Sequence, residues 1–306
     1  MLRALLLRLS RSERFDRFCN TRLPFRFART FVGGRNATEA LQTAIRLQEQ
    51  GYLVTLHYLG EEATTLSRVK QAAKAYHALL RELSLTRLKN PSISVKLTHL
   101  GLGLGEGVAT AMLRDILIKA KARGIRVEID MEAYHHFHQT LRIYQKVLPD
   151  FPHTGFCVQA YLRSAPSYLR QLLSCEGATI RLVNGAYQER ADVVLHDEKD
   201  IRHNYEFCLH LLFSSEAKKS GVLPLISTHD ELLIAYALRQ AQRNAWKPDT
   251  FEIEMFYRMR PDVQRTLLGK GYRVRVHLPY GARWFSFTMR RIAELPFRQI
   301  MKSLSC

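Results

Sequence analysis

A chain of 306 residues, 46% of them apolar, is long for one domain but the right size for a single α/β barrel with a substantial core. Its 46 Lys and Arg against 28 Asp and Glu leave a formal charge of +18, which favours a negatively charged partner surface. The apolar runs are too short to span a bilayer, and the basic residues are scattered without an RNP pattern, zinc-finger spacing or sustained run, so neither a membrane-spanning nor a nucleic-acid-reading protein is expected.

The N-terminus is basic and amphipathic. Residues 1–35 are rich in Arg and Leu, with only Glu13 and Asp16 as acids. Arg3, Arg8, Arg11 and Arg14 keep much of the charge on one side, which leaves Leu2, Leu5, Leu6 and Leu9 to face protein or lipid. The composition imitates a transit peptide as well as a surface helix. We expect a basic helical extension over 1–35, packed on the domain or resting on a membrane, and one domain over 36–306.

Beyond it, short β-branched runs alternate with stretches of helical period. Strands are expected at 53–59, 93–97, 127–131, 155–161, 179–183, 223–228, 251–256 and 274–278, with helices at 65–83, 108–122, 137–148, 165–174, 201–219, 231–243 and 261–268. Gly124, Gly221 and Gly271 follow helical patterns, where a left-handed residue ends a helix. Eight such units with no Pro/Ser-rich linker predict a closed (β/α)8 barrel.

Chemistry in such barrels sits at the carboxyl ends of the strands. Lys96, Asp130, Gln159, Arg181, Thr228, His229, Asp230 and Glu254 stand in or near the ends of apolar strand runs, where an unpaired charge is costly, so one pocket that pairs them or binds a charged ligand is implied. With Arg290 and Arg291 the pocket is positive, suiting an anionic substrate and a phosphate-bearing cofactor. The Gly101 to Gly107 tract fits neither phosphate-loop fingerprint and reads as a turn. His135, His136 and His138 lack a second ligand cluster, so no metal is assigned. Five widely spaced cysteines build neither a disulfide framework nor a CxxC site, which suits a reducing cytoplasm. No nucleophile elbow or neighbouring acid pair argues for hydrolysis.

Seven segments in order resemble the proline dehydrogenase family: SVKLTHLGL from Ser94, VEIDMEA from Val127, GFCVQAYLRS from Gly155, RLVNGAYQE from Arg181, STHDELLI from Ser227, FEIEM from Phe251, and VRVHLPYG with RWFSFTMRRIAELP through Pro296. The resemblance implies a distorted (β/α)8 barrel with FAD at the strand ends and a last helix over the site. By position, Lys96, Arg290 and Arg291 would hold the substrate carboxylate, with His277 beside the substrate ring. Asp130 would pair with these cations, and Arg181 would stand near the flavin N5. Met131, Gln159, Thr228, His229 and the turn Val183, Asn184, Gly185, Ala186 and Tyr187 would hold FAD. The implied reaction is oxidation of proline to pyrroline-5-carboxylate by hydride transfer from C5, with electrons passed to a membrane quinone. A pyrroline-5-carboxylate dehydrogenase is then a natural partner, and a cytoplasmic protein peripheral on the inner membrane the implied location.

Four positions depart from the family pattern: His277 where Tyr is usual, Asn184 where Lys is usual, Ala133 where a polar residue is common, and Arg258 where Gly is frequent. The first makes hydroxyproline or another cyclic amino acid a credible substrate. A degenerate barrel serving as a binding scaffold is the reading from a different class.

Overall fold

The computed structural model describes residues 18–20, 22, 25, 28–60, 62–185 and 187–294. Helix α1 (Ala37–Glu49) leads into β1 (Leu53–Tyr58), α2 (Leu66–Ser84), β2 (Ser92–Val95), α3 (Glu106–Lys121), β3 (Arg126–Ile129), α4 (Phe137–Val147) and β4 (Gly155–Gln159). The second half runs α5 (Ala165–Leu173), β5 (Thr179–Val183), α6 (Glu198–Leu212), α7 (Ser215–Lys219), β6 (Leu223–Ser227), α8 (Glu231–Arg243), β7 (Glu252–Phe256), α9 (Pro261–Gly269), β8 (Val274–Tyr280) and α10 (Trp284–Glu294). Every strand pairs in parallel with the next, and β1 also pairs with β8, so the sheet closes on itself.

Local chemistry sets the boundaries. On α2, Val69, Ala72, Ala73, Tyr76, Leu79, Leu80 and Leu83 are buried, an i, i+3, i+4, i+7 stripe that turns one face to the sheet. The Asn36 side chain accepts from the Glu39 amide to start α1, and the Glu39 carboxylate accepts from the Arg35 amide at 3.0 Å. Gly124, Gly221 and Gly271 have φ of 63°, 67° and 81°, the left-handed helix ends expected of them.

Three differences from the sequence reading have plain causes. The helix expected over 201–219 is broken at Phe213, because the Ser214 hydroxyl accepts from the Ala217 amide and starts a new helix. The Gly101 to Gly107 tract is a short 3-10 turn that passes directly into α3, so Gly107 is helical. Several strands stop one or two residues early, which leaves Lys96 and Asp130 just past the ladder at its carboxyl end.

The apolar core lies outside the barrel, between sheet and helices. Val54, Leu56, Ile93, Val95, Val127, Ile129, Ile180, Leu182, Ile253 and Met255 face outward into it. Side chains of the other parity fill the interior and are largely polar, an outcome of the period-two strand. At the amino-terminal floor Arg275, fully buried, donates to the Val54 carbonyl at 2.9 Å and to Glu252, which also takes Arg126 at 3.0 Å and Arg273 at 2.5 Å.

Helix α10 is not part of the outer ring. Arg291 lies over the Phe256 ring at 4.4 Å and Phe287 packs on Phe256 at 5.6 Å, which places this helix across the carboxyl end of β7. Helix α1 instead packs on both β8 and β1, where the barrel closes. Trp284, Phe285 and Phe287 share a second apolar cluster with Cys19, Phe25, Ala28, Phe31 and Val32, so the described part of the N-terminal segment holds α10 in place. Residues 1–17, the bulk of the expected basic extension, lie outside the described residues.

Burial alone would raise the pKa of Glu252, but the Arg275 and Arg126 guanidinium groups overcome it and hold the carboxyl well below the usual range. A folded pKa below the unfolded one gives stability that is complete above the unfolded value and lost as pH falls. Glu252→Gln should therefore destabilise the protein by about 3–5 kcal/mol at pH 7, because it leaves the fully buried Arg275 guanidinium without its carboxylate, while Arg126 keeps Glu128. In urea titrations from pH 7 to pH 3 the gap between variant and wild type should narrow; a gap that widens with acid would refute the assignment.

Candidate active site

Period two carries charge up the barrel interior. Arg126, Glu128 and Asp130 follow one another on or just past β3, Glu252 and Glu254 on β7, and Arg275 and His277 on β8. Across from them stand Thr55 and His57 on β1 and Arg181 on β5.

Arg181 sits at the centre. Its Nη2 donates to Asp130 Oδ1, and its Nη1 lies 3.1 Å from His277 Nδ1, 3.4 Å from Glu254 Oε1 and 3.9 Å from Glu128 Oε2. Burial would lower the Arg181 pKa, but these carboxylates keep it well above its ordinary value. Burial would likewise raise the pKa of Asp130, yet Arg181, with His57, His277 and Lys96, holds that carboxyl well below the usual range. Arg181 is thus a fixed cation and Asp130 a fixed anion at neutral pH.

His57 and His277 meet above this pair. His57 Nδ1 lies 2.7 Å from His277 Nε2 and 3.3 Å from Asp130 Oδ2, and the His277 Nδ1 is 3.4 Å from Glu254. Burial drives the His57 pKa well below its ordinary value against the pull of Asp130, so the ring is uncharged at neutral pH. A guanidinium can only donate, so the Arg181 contact makes His277 Nδ1 an acceptor, and the His277 Nε2–H then bridges to His57.

Lys96 stands at the end of β2. Burial lowers its pKa, Glu132 opposes that shift, and the charge of Arg290 adds to it. Glu132 is held in turn by the Thr98 amide at 3.0 Å and the Thr98 hydroxyl at 2.5 Å.

The structure therefore gathers Lys96, Asp130, Arg181 and His277, with Arg290 close enough for its charge to act on Lys96 and Tyr187. Arg291 lies over the Phe256 ring, itself 5.1 Å from the His277 ring, and assists burial in lowering the His229 pKa to about 3. Met131 and Gln159 are buried, with Gln159 Nε2 donating to the Glu132 carbonyl at 3.5 Å. The Thr228 hydroxyl accepts from the Asp230 amide at 3.2 Å. Val183 and Asn184 offer carbonyls to the Ala160 and Tyr161 amides, both at 2.8 Å, while the Asn184 side chain is exposed. Gly185, at φ 112°, runs so close to the Tyr161 ring that a Cβ there would overlap it. Ala186 lies outside the described residues.

Sequence reading missed His57, Glu128 and Glu132. The available signal was a polar residue at every second position of an apolar strand, as in Thr55 and His57 or Arg126, Glu128 and Asp130. Among the described residues, His57, Asp130 and His277 form the only group able to offer three metal-ligating atoms within 4.8 Å of one another, whereas His135, His136 and His138 do not join such a group.

Comparison with known proteins matches this architecture. Over 299 residues the chain is 36% identical to Proline dehydrogenase 1 of Bacillus subtilis (strain 168), covering 97% of this chain and 96% of that protein. It is 34% identical over 275 residues to Proline dehydrogenase of Deinococcus radiodurans, covering 88% of this chain and 86% of that one. Among solved structures, proline utilization A (PutA) from Bdellovibrio bacteriovorus, inactivated by N-propargylglycine, superposes with a TM-score of 0.80 at 22% identity, covering 87% of this chain and 32% of that one, a likeness of fold. The family model described as Proline dehydrogenase matches residues 40–294, from α1 through α10, and the chain belongs to the proline dehydrogenase family.

Proposed function

We propose that this barrel oxidises proline, or a close cyclic analogue, to the cyclic imine with the help of FAD. The observation that carries the reading is the buried Arg181 cation locked between Asp130, Glu254 and His277, with Lys96 and Arg290 near it at the strand ends.

The residues present suit a flavin. Arg181 Nε, Gln159 Oε1 and His229 Nδ1 are buried without a hydrogen-bond partner, and such groups are costly unless a ligand completes them. Together they offer a donor, an acceptor and an imidazole nitrogen, which matches the mixed polar edge of an isoalloxazine. Arg181, Gln159, Met131, Thr228, His229 and the turn 183–187 would hold the cofactor. When bound, FAD supplies the hydride acceptor.

The protein's own groups do the rest. Lys96 and Arg290 bind the substrate carboxylate, with Arg291 completing the clamp, and so fix the ring in one orientation. Asp130 cannot take a proton at neutral pH, because Arg181 holds it ionised; its part is to anchor the cations, not to deprotonate the amine. Arg181, tied on both sides, presents positive charge that needs no reorganisation as negative charge develops beside it.

One observation favours a second substrate. His277 brings His57 with it, so a hydrogen-bonding imidazole pair stands where the family commonly has a phenol, and a ring hydroxyl is an accepted partner for it. A single experiment addresses cofactor and substrate together. The purified protein should be yellow, and its visible absorbance should bleach without air on adding proline or 4-hydroxyproline, compared side by side. A colourless protein that takes up no FAD would instead favour the scaffold reading.

Arg290 is partly exposed, so shortening it strands no buried partner. Arg290→Met should raise KM for proline about 10- to 150-fold, the worth of a charged hydrogen bond, with the flavin spectrum unchanged. An unaltered KM would remove Arg290 from the clamp.

Electrons would pass to a membrane quinone, and the imine to a pyrroline-5-carboxylate dehydrogenase. No helix among the described residues is long and apolar enough to cross a membrane. The +18 charge supports peripheral attachment to an anionic leaflet. Binding to phosphatidylserine vesicles should weaken steeply between 0.05 and 0.3 M salt, on the order of the screening that shortens the Debye length below ~10 Å. Salt-insensitive sedimentation, unaltered by deleting residues 1–29, would count against it.

A further inference from the structure

We propose that His57, Asp130 and His277 form a site for one divalent transition-metal ion, zinc being the best fit, at the heart of the barrel mouth. The three side chains come from β1, the end of β3 and β8, all rigid elements, and none needs a partner from outside the chain.

The ligand atoms already converge. His57 Nδ1 is 2.7 Å from His277 Nε2 and 3.3 Å from Asp130 Oδ2, and all three lie within 4.8 Å of one another. Ligands bound at about 2.0–2.1 Å in a tetrahedron stand roughly 3.3 Å apart. The two imidazoles would part by about half an ångström, and Asp130, within 4.8 Å of the His277 ligand atom, would close on it by up to about 1.5 Å, a side-chain movement. Two imidazoles and a carboxylate leave a fourth position open, the donor set of zinc and its neighbours and not of calcium or magnesium.

The surroundings divide their contacts in the required way. Arg181 engages Oδ1 of Asp130 and leaves Oδ2 turned to His57. Metal at Nε2 puts the ring proton on Nδ1, so the Arg181 Nη1 contact there, at 3.1 Å, must open and Glu254, 3.4 Å from Nδ1, accept in its place, the carboxylate–histidine–metal arrangement that orients such ligands. The ring proton that bridges the two histidines then moves from Nε2 to Nδ1 of His277, so binding shifts a tautomer and releases no proton. Next to the ion, Asp130 and Glu254 face Arg181, with Glu128 shared between Arg181 and Arg126 below, while Lys96 has Glu132 as its own counter-ion.

An ion here would occupy the oxygen of Asp130 and the face of His277 that border the substrate site, so zinc would inhibit in competition with substrate. That consequence rests on the proposed oxidation; binding itself does not, and is read separately.

The test uses the chelator-stripped, purified full chain as it is isolated. Titration with Co2+ should give visible d–d absorption that saturates at one equivalent, and Zn2+ should abolish it. His135→Ala with His136→Ala should keep the band, and His57→Gln should lose it while melting like the wild type. No saturable band, or a band that survives in His57→Gln, overturns the site. Should His57→Gln fail to fold, His57→Cys decides: a sulfur-to-cobalt charge-transfer band supports the site, and its absence overturns it. In proline-dependent dye reduction, Zn2+ should raise the apparent KM at least tenfold and leave kcat unchanged. Zinc binding without such inhibition would keep the site and sink only its link to the oxidation, while a protein with no proline activity at all would leave the cobalt result standing.

Discussion

The structure turns on one buried guanidinium. Arg181 stands inside a closed sheet, and a lone charge there would cost far more than the few kcal/mol by which a domain of this size is stable. It persists because three carboxylates from two other strands surround it, with Asp130 in direct contact. Each of those carboxylates would be as costly without Arg181. The interaction is therefore a mutual constraint: it fixes the heights of β3, β5 and β7 relative to one another, and hence which residues reach the mouth. Buried ion pairs are weak evidence for stability. Their effect here is to hold a preorganised charge towards the carboxyl ends of the strands.

Stability comes from elsewhere. The shell between strands and helices is continuous and apolar, from Val54 and Leu56 round to Val274 and Val276, and each fully buried Leu or Ile in it contributes about 1.5–3 kcal/mol. The division of labour follows the pleat: residues facing out hold the barrel, and residues facing in are free to be polar if they find partners. Arg275 and Glu252 at the floor, Glu128, Glu254 and Arg181 above them, and His57, Asp130 and His277 at the top form successive polar layers, each hydrogen-bonded within itself or to the next.

This division also explains what could be read from sequence. Strands and helices were legible because their outward faces keep a regular apolar period, as on α2. Lys96, Asp130 and Arg181 were legible because a charge at the end of an apolar run has few structural excuses. His57 was not, since a histidine within a strand gives no sign of its partner 220 residues away. Glu128 lies inside the strand, one turn of the pleat below Asp130, and only its parity marked it as inward-facing. The break between α6 and α7 was hidden because Ser214 serves as a cap only in the context of the Ala217 amide, and helical period continues across it.

The last helix shows a dependence that no local reading supplies. The Arg290 charge acts on Lys96 because α10 crosses the barrel mouth in place of joining the outer ring, and α1 takes the vacated position against β8 and β1. What keeps α10 there is largely the other end of the chain: Phe25 stacks edge-on against Trp284 at 5.9 Å, and the Asn20 side chain accepts from the Phe285 amide at 2.9 Å. A helix without those contacts would lose less by shifting a turn. One pinned by the Phe25 ring and the Asn20 side chain would lose both. The barrel mouth is thus assembled from both ends of the polypeptide, with the cations of α10 brought to the strand-end charges by contacts from Asn20 and Phe25.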